Sequence, residues 1–391
     1  MPGDDGVTDA GTANRRKAVR IRLLAPLLLL ALGACANPEG VLVPLNPGTP
    51  AGDRVDMLVA TTRAPSPAEG VVFTGERGDG LAFTNIVVSI PPDRAVGSIQ
   101  WPRQVPADPA RDFAVTRVDP LARSQVLPWF QGQPRAKRRV LVFVHGFNTR
   151  FDASVFRFAQ FVHDTGTDYV PVLFSWPSRG RVGDYIYDRE STNFSRSDLA
   201  YVLATAAKSP HVDEVVVLAH SMGAWLAVEA LRQLTLAQGR VPAKISNVIL
   251  ASPDLDIDVF ERQVRELGPK RPHLTIFVSR NDQALGLSRF LAGQVTRVGS
   301  VDLTDPAYAA RLEQATGITV LDLTALQGGD ALNHSKFATQ PDMVRLLGDR
   351  LMAGQTIADD ASPGATAVQA LGGAVGTVVT APIQVFAAGR N

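Results

Sequence analysis

The residue best placed for covalent chemistry is Ser221, at the centre of Ala219–Gly223, which reads AHSMG. The apolar run Val215–Ala219 precedes this serine, and a helical pattern begins at Ala224. A serine on a sharp strand-to-helix turn exposes its hydroxyl above a sheet, and small residues on both sides let the two backbones pass closely. The pattern predicts that Ser221 is a nucleophile, with a structural serine in a tight turn as the alternative.

A nucleophilic serine needs a base, and on a turn of this kind the acid and the base follow the serine in the chain. Two of the six histidines satisfy this order, His273 and His334. His273 begins an apolar run, which is the wrong end of a strand, because catalytic groups gather at the carboxyl ends of parallel strands. His334 follows the last predicted strand in a loop and is therefore the predicted general base.

Two aspartates could orient that base. Asp282 follows the apolar run Leu274–Ser279, where a carboxylate can accept the imidazole N–H, fix its tautomer and stabilise the imidazolium. Asp254 follows the preceding run, Ile245–Leu250, and some hydrolases carry the acid one strand earlier. We favour Asp282 as the acid and keep Asp254 as the alternative.

An acyl-transfer reaction also needs two backbone N–H groups that hold the developing oxyanion. The amide of Met222, directly after the nucleophile, is one predicted donor. The run Val140–Val144 ends in the sequence HGFN, and the amide of Phe147 in this loop is the other. His145 lies ahead of Ser221 in the chain and is predicted to be a structural hydrogen-bonding residue.

The elements that must position these residues are short apolar runs alternating with helical stretches from residue 140 onward. The helical stretches include Ser154–Asp164, Ser197–Lys208 and Ala224–Gln238. Strands that are apolar on both faces and separated by helices are typical of a parallel sheet covered on both sides. The predicted fold is α/β, with a mostly parallel central sheet, helices on both faces and a β-rich N-terminal part over residues 55–139.

Five segments of the sequence resemble the α/β-hydrolase superfamily, and more narrowly a family of bacterial hydrolases of uncertain substrate. Members of that family are often lipoproteins and are usually described as candidate esterases. The matching segments read LVATTR, VSIPP, FVHGFN, FSWPS and AHSMG, beginning at residues 58, 88, 143, 174 and 219. The resemblance spans residues 55–350 and implies a serine nucleophile and ester-like substrates.

The amino terminus is predicted to direct export. Five basic residues between positions 15 and 22 precede the apolar run Leu23–Leu32, which is typical of a secretory signal and too short to span a bilayer. The only cysteine, Cys35, ends the sequence LGAC, which resembles a bacterial lipobox and implies cleavage before Cys35 and diacylation of its thiol. Ala36 is not the aspartate associated with inner-membrane retention. We therefore expect a lipid-anchored protein of the bacterial cell envelope, on the outer membrane and facing the periplasm.

The predicted organisation is a signal peptide (1–34), a lipid-attached tether (35–54), an α/β-hydrolase domain (55–352) and an Ala/Gly-rich C-terminal tail (353–391). The tether is rich in proline and glycine. The tail is uncharged over residues 361–389, and we interpret it as a docked segment or a surface helix. Residues 177–198 are either a lid or a plain surface loop.

The composition describes a globular protein with balanced charge. The 391 residues are 45% hydrophobic, which excludes wholesale disorder, and 39 basic residues face 38 acidic ones, so a nucleic-acid partner is not expected. One cysteine excludes an intrachain disulfide and a cysteine-based metal site. The sequence contains no phosphate-binding glycine motif and no His-x-x-x-His spacing, so we predict neither a cofactor nor a metal.

These observations predict a lipid-anchored serine hydrolase that cleaves carboxylic esters of a small molecule or a lipid through an acyl-enzyme. Thioesterase, amidase and acyltransferase activity are the alternatives that use the same intermediate. An envelope scaffold that keeps the fold without catalysis is the alternative outside the enzymes.

Overall fold

The structure is a computed structural model that describes residues 37–308, 317–326, 330–352, 366–371 and 374–380. The predicted signal peptide, the predicted lipid attachment at Cys35 and most of the C-terminal tail lie outside the described residues. Among the described helices, none is long and apolar enough to cross a membrane.

One sheet organises the described part of the chain. Its strands, in chain order, are β1 (Asp53–Pro65), β2 (Phe73–Ile90), β3 (Ala114–Leu121), β4 (Arg139–Val144), β5 (Val170–Ser175), β6 (Glu214–His220), β7 (Ile245–Ala251), β8 (His273–Val278), β9 (Ile318–Asp322), β10 (Thr366–Leu371) and β11 (Ala374–Thr380). Their spatial order is β10-β11-β9-β8-β7-β6-β4-β5-β1-β2-β3. The seven strands from β9 to β1 are parallel, whereas β2 and β3 at one edge and β10 and β11 at the other are antiparallel to their neighbours.

Helices cover both faces of this sheet. They are α1 (Val126–Gln131), α2 (Phe151–Thr165), α3 (Tyr185–Lys208), α4 (Met222–Gln238), α5 (Ile257–Leu267), α6 (Gln283–Leu291), α7 (Lys336–Thr339) and α8 (Pro341–Met352). The apolar residues of α1, α3, α4 and α5 form one core cluster, and those of α2, α7 and α8 form a second one. In β4, Val140 and Val142 belong to the first cluster and Leu141 and Phe143 to the second, so alternate side chains of one strand serve opposite faces.

The predicted fold class is confirmed. Each apolar run singled out in the sequence from residue 140 onward is a strand, because burial on both faces leaves no position for a polar side chain. Helix α3 begins at Tyr185, twelve residues before the predicted start at Ser197. Its first half buries polar residues, among them Asp188 and Ser195, so the apolar periodicity that would indicate a helix is missing there. Residues 185–198 are thus part of a 24-residue helix.

Part of the segment predicted as a tether is packed on the domain. Val41 and Leu42 are buried in the second core cluster, the Leu42 amide donates to the Gly70 carbonyl at 3.0 Å, and the Leu45 amide donates to the Val115 carbonyl at 2.8 Å. The proline and glycine content of this segment indicates irregular backbone, which the structure shows. It does not reveal that two adjacent apolar residues dock the segment.

The C-terminal tail contributes two strands, so the surface-helix interpretation is wrong for residues 366–371 and 374–380. Strand β11 pairs antiparallel with β9, and β10 pairs antiparallel with β11. Residues 375–380 contain three valines and two threonines, whose β-branched side chains favour extended backbone. The two strands extend the sheet beyond β9 and pair its backbone groups at that edge.

We predict that Gly348→Ala destabilises the fold. A Cβ at Gly348 in α8 would overlap the Thr165 carbonyl at the end of α2, so the two helices would have to separate, at a cost of about 1–3 kcal/mol in the free energy of unfolding. Chemical denaturation measures the loss.

The matched control is Gly286→Ala in α6, where a Cβ meets nothing within 4 Å. Alanine is the better helix former at an exposed position, so this variant should gain about 0.5–1 kcal/mol. Equal changes in the two variants would contradict the close packing of α8 on α2.

Candidate active site

Ser221 lies on a strained turn between β6 and α4. Its backbone has φ 54° and ψ −123°, a combination that residues with a side chain rarely adopt. Hydrogen bonds hold this turn on both sides: the Ser221 amide donates to the Ala251 carbonyl at 2.9 Å, and the Ser221 carbonyl accepts from the amides of Ala224 and Asp254. The residue is only 3% exposed. The structure thus has the strand–serine–helix turn that the sequence motif predicts.

The backbone is crowded around this serine. A Cβ at Gly223 would overlap the His145 carbonyl, and a Cβ at Gly146 would lie 2.8 Å from Ser221 Cβ and 2.9 Å from His220 Nδ1. Only glycine fits at these two positions without a shift of the chain. The loop that follows β4 therefore passes directly against the serine turn.

The predicted base and the favoured acid are hydrogen-bonded to each other. His334 Nδ1 lies 2.7 Å from Asp282 Oδ2, and the two side chains are 13% and 0% exposed. Because a carboxylate only accepts, Nδ1 carries the proton and Nε2 is left with a free lone pair. The other Asp282 oxygen, Oδ1, accepts from the Leu285 amide at 3.0 Å and caps α6. The carboxylate is thus fixed at both oxygens.

The loop that carries His334 is shaped by Asp330. The Asp330 carboxylate accepts from the backbone amides of Leu332, His334 and Ser335. The Leu332 carbonyl accepts from the Gln283 amide at 3.0 Å, which joins this loop to the start of α6. The sequence places Asp330 close to His334 but does not indicate this capping of three successive turns.

The alternative acid, Asp254, has other partners. Its carboxylate accepts from the Tyr185 hydroxyl at 3.1 Å and from the Ser288 hydroxyl, and it forms an ion pair with the buried Arg297 at 3.2 Å. The structure pairs His334 with Asp282. Asp254 contributes to the site through its backbone amide, which holds the carbonyl of Ser221.

His220 joins the serine turn to the histidine loop. Its Nε2 donates to the His334 carbonyl at 3.1 Å, and the two imidazole rings are 4.6 Å apart between centroids. Burial lowers the pKa of His220 well below its ordinary value, and the neighbouring His334 lowers it further. His220 is therefore neutral at neutral pH and leaves His334 as the partner that can take up a proton. Sequence reasoning assigned no role to His220.

The two predicted oxyanion donors come from elements that meet at the serine. Met222 is the first residue of α4, and amides of the first helical turn have no acceptor within the helix. Phe147 follows Gly146 in the loop against Ser221, and its ring packs edge-on against Tyr185 at 5.2 Å between centroids. The next two amides of that loop are bound by side chains, that of Asn148 by Asp188 and that of Thr149 by Ser178.

A buried arginine that sequence reasoning quoted only as part of a motif holds this loop. The Arg63 guanidinium donates to the carbonyls of Thr74, Ser178 and Thr149, to the Ser175 hydroxyl and to His145 Nε2. Burial lowers its pKa to about 9, and the carboxylates of Asp188 and Asp152 oppose that shift. Arg63 thereby ties β1 to the loops after β4 and β5. The conserved chemistry of an arginine with five donors was not visible in a strand-like run.

His145 is a structural residue in this arrangement. Because Arg63 donates to its Nε2, the proton resides on Nδ1, which faces the Gly146 carbonyl at 2.8 Å. Its ring stacks on Trp176 at 4.8 Å, and the Trp176 indole N–H donates to its carbonyl at 2.7 Å. Burial, with the charge of Arg63, lowers its pKa to about 3. His145 is thus neutral and supports the loop that Phe147 belongs to.

No three His, Cys, Asp or Glu side chains are grouped to hold a metal ion within the described part of the chain. The arrangement is that of a serine at a strained turn beside an aspartate–histidine pair.

Residues 127–350, more than half of the chain, match the model of a family described as alpha/beta hydrolases of unknown function (DUF900). The chain belongs to this family. The protein is therefore an α/β hydrolase, as the resemblance of its motifs implied. A comparison with curated proteins finds no match.

Two solved structures illustrate the similarity of fold. One is an esterase from the fungus Rhizomucor miehei, 13% identical, with 77% of this chain and 84% of that chain covered and a TM-score of 0.36. The other is the carboxylesterase CesB from Bacillus subtilis, 11% identical, with 70% and 89% covered and a TM-score of 0.32. At these scores neither similarity bears on the substrate of this α/β hydrolase.

We predict that Arg63→Met destabilises this α/β hydrolase by about 3 kcal/mol or more. The substitution leaves three buried carbonyls without their donor, and each buried acceptor left unpaired costs about 1–3 kcal/mol. The exposed Arg181→Met is the control and should change the free energy of unfolding by less than about 0.5 kcal/mol. Denaturant titration compares the two, and equal stabilities would refute the clamp.

Proposed function

We propose that the protein is a serine hydrolase that cleaves carboxylic esters through an acyl-enzyme, with Ser221 as the nucleophile, His334 as the base and Asp282 as the orienting acid. The observation that carries this proposal is the hydrogen bond between His334 and Asp282, in a loop that His220 joins to the strained turn of Ser221. A carboxylate–imidazole pair beside a serine on such a turn is the arrangement that acyl transfer requires.

In the first half of the reaction, His334 Nε2 takes the proton of the Ser221 hydroxyl as its oxygen attacks the ester carbonyl. The carbonyl oxygen becomes an oxyanion, which the amides of Phe147 and Met222 stabilise. Asp282 holds Nδ1–H and stabilises the imidazolium. The C–O bond to the alcohol then breaks, and His334 returns its proton to the leaving oxygen.

In the second half, His334 removes a proton from a water molecule as the water oxygen attacks the acyl carbon. The bond to Ser221 breaks, the serine recovers its proton from His334, and the free carboxylic acid leaves. The chemistry closes with the residues present and needs no cofactor. The alternatives with a thioester or an amide would pass through the same intermediate.

We predict that a fluorophosphonate probe labels the protein and that labelling is lost in Ser221→Ala, because the probe phosphonylates an activated serine hydroxyl. Ser66→Ala is the control: this serine is far from the turn in sequence and its hydroxyl accepts from the Ala68 amide. It should label like the wild type. Gel fluorescence after probe treatment measures both.

Equal labelling of the wild type and Ser221→Ala would overturn the assignment of the nucleophile. A folded wild type that neither reacts with the probe nor turns over short p-nitrophenyl esters would favour the envelope scaffold over the enzyme.

We predict that Asp282→Asn lowers kcat/KM by about 100-fold or more, because an amide in place of the carboxylate favours the wrong tautomer of His334. Asp254→Asn should lower kcat/KM much less, since its carboxylate contacts Tyr185, Ser288 and Arg297. Steady-state kinetics with a p-nitrophenyl ester rank the two variants. The reverse ranking would move the acid to Asp254.

A further inference from the structure

Lys336 is a buried lysine two residues after His334 that the reaction above does not use. It is the first residue of α7 and is 1% exposed. Lysine is almost never buried without partners, because removing an ammonium group from water is costly. Its position therefore calls for a physical reason, and the hydrogen bonds of its side chain supply one.

The Lys336 ammonium links the three segments around the acid. Its Nζ donates to the Ser279 hydroxyl at 3.1 Å, to Asn281 Oδ1 at 2.9 Å and to the Leu323 carbonyl at 2.9 Å. Ser279 ends the segment after β8, Asn281 is the residue before Asp282, and Leu323 follows β9. Lys336 thus fastens the start of α7, and with it the His334 loop, to the loop that carries Asp282.

The same bonds show that Lys336 is charged. The Ser279 hydroxyl gives its own proton to Asn281 Oδ1 at 2.6 Å, so it can only accept from Lys336. All three partners are therefore acceptors. A neutral amine has two protons and a lone pair, whereas an ammonium has the three donors that this geometry needs.

The charged groups around this ammonium are mostly acidic. Burial lowers the pKa of Lys336, and the carboxylates of Asp282, Asp322 and Asp330 oppose that shift. His334 in turn faces Asp282 from the loop after β8, His220 from β6 and Asp330 from its own loop. Among the described residues, Lys336 is thus the cation that lies closest in the chain to the proposed base.

We propose that Lys336 is a positioning residue for the Asp282–His334 pair, which joins the loops of the acid and the base and keeps a fixed positive charge beside Asp282. This inference rests on the proposed function for its kinetic consequence. The charge keeps Asp282 ionised and opposes protonation of His334, so the base stays neutral, and therefore active, to a lower pH.

The sign of the effect follows from the charge. His334 must be neutral to accept the serine proton, and a nearby cation disfavours the imidazolium. Removing that cation raises the pKa of His334, so activity on the acidic side is lost at a higher pH. A role in folding alone would lower activity by the same factor at every pH.

The experiment compares pH profiles of kcat/KM for the wild type, Lys336→Met and Lys336→Arg with a short p-nitrophenyl ester. We expect the acidic limb of Lys336→Met to move upward by about half a pH unit to one unit, and that of Lys336→Arg to stay at the wild-type position. Titration of the His334 ring resonances by NMR measures the same shift without turnover. A folded Lys336→Met with the wild-type limb and the wild-type His334 titration would overturn the proposal.

Lys244→Met is the matched control. Lys244 also donates to buried backbone carbonyls, those of Ser209 and Val212, but it precedes β7 at the opposite edge of the sheet. Its pH profile should equal that of the wild type. A shift as large as that of Lys336→Met would contradict a local effect.

Asn281→Asp keeps the proposal testable if Lys336→Met does not fold. An aspartate there keeps an acceptor for Lys336 and offsets its charge, so the His334 pKa should again rise; an unchanged titration would overturn the proposal. Absence of turnover together with the expected NMR shift would remove the proposed function and leave the electrostatic role of Lys336 in place.

Discussion

The positive φ of Ser221 is the constraint on which the site depends. An L-residue adopts this conformation only where its surroundings hold it, and here three backbone hydrogen bonds and two close glycine contacts do so. The turn requires β6 and β7 to be paired before it and α4 to begin directly after it. Every other part of the site, from the loop of Gly146 to the loop of His334, is packed against that turn.

Burial divides the ionisable groups of the site by function. His145 and His220 are buried so thoroughly that both are neutral, and each uses its ring to fix a neighbouring loop. His334 keeps some exposure and a carboxylate partner, which are the conditions for a base that gains and loses protons. Two buried cations, Arg63 and Lys336, are satisfied mainly by oxygens that carry no net charge. They join loops that have no apolar contact strong enough to do so.

The sequence was sufficient for the fold class, for the strands of the parallel sheet and for the turn of Ser221, because these depend on apolar runs and on a local motif. Chain order selected His334, and its hydrogen bond to Asp282 is seen in the structure. The polar first half of α3 and the docking of Val41 and Leu42 escaped prediction, since neither follows the periodicity of an apolar face. Arg63, His220 and Lys336 escaped it for another reason: their partners lie between 13 and 115 positions away in the chain.

The placement of β1 has a consequence for how the chain folds. Strand β1 is the first of the parallel strands to be synthesised, yet its parallel neighbour β5 follows more than a hundred residues later. The loop between them must close before Arg63 can reach Thr149 and Ser178, and closing a long loop is slow. Completion of the central sheet is therefore a late event of folding, and the nascent N-terminal hairpin of β1 and β2 must keep its apolar residues out of aggregates until then.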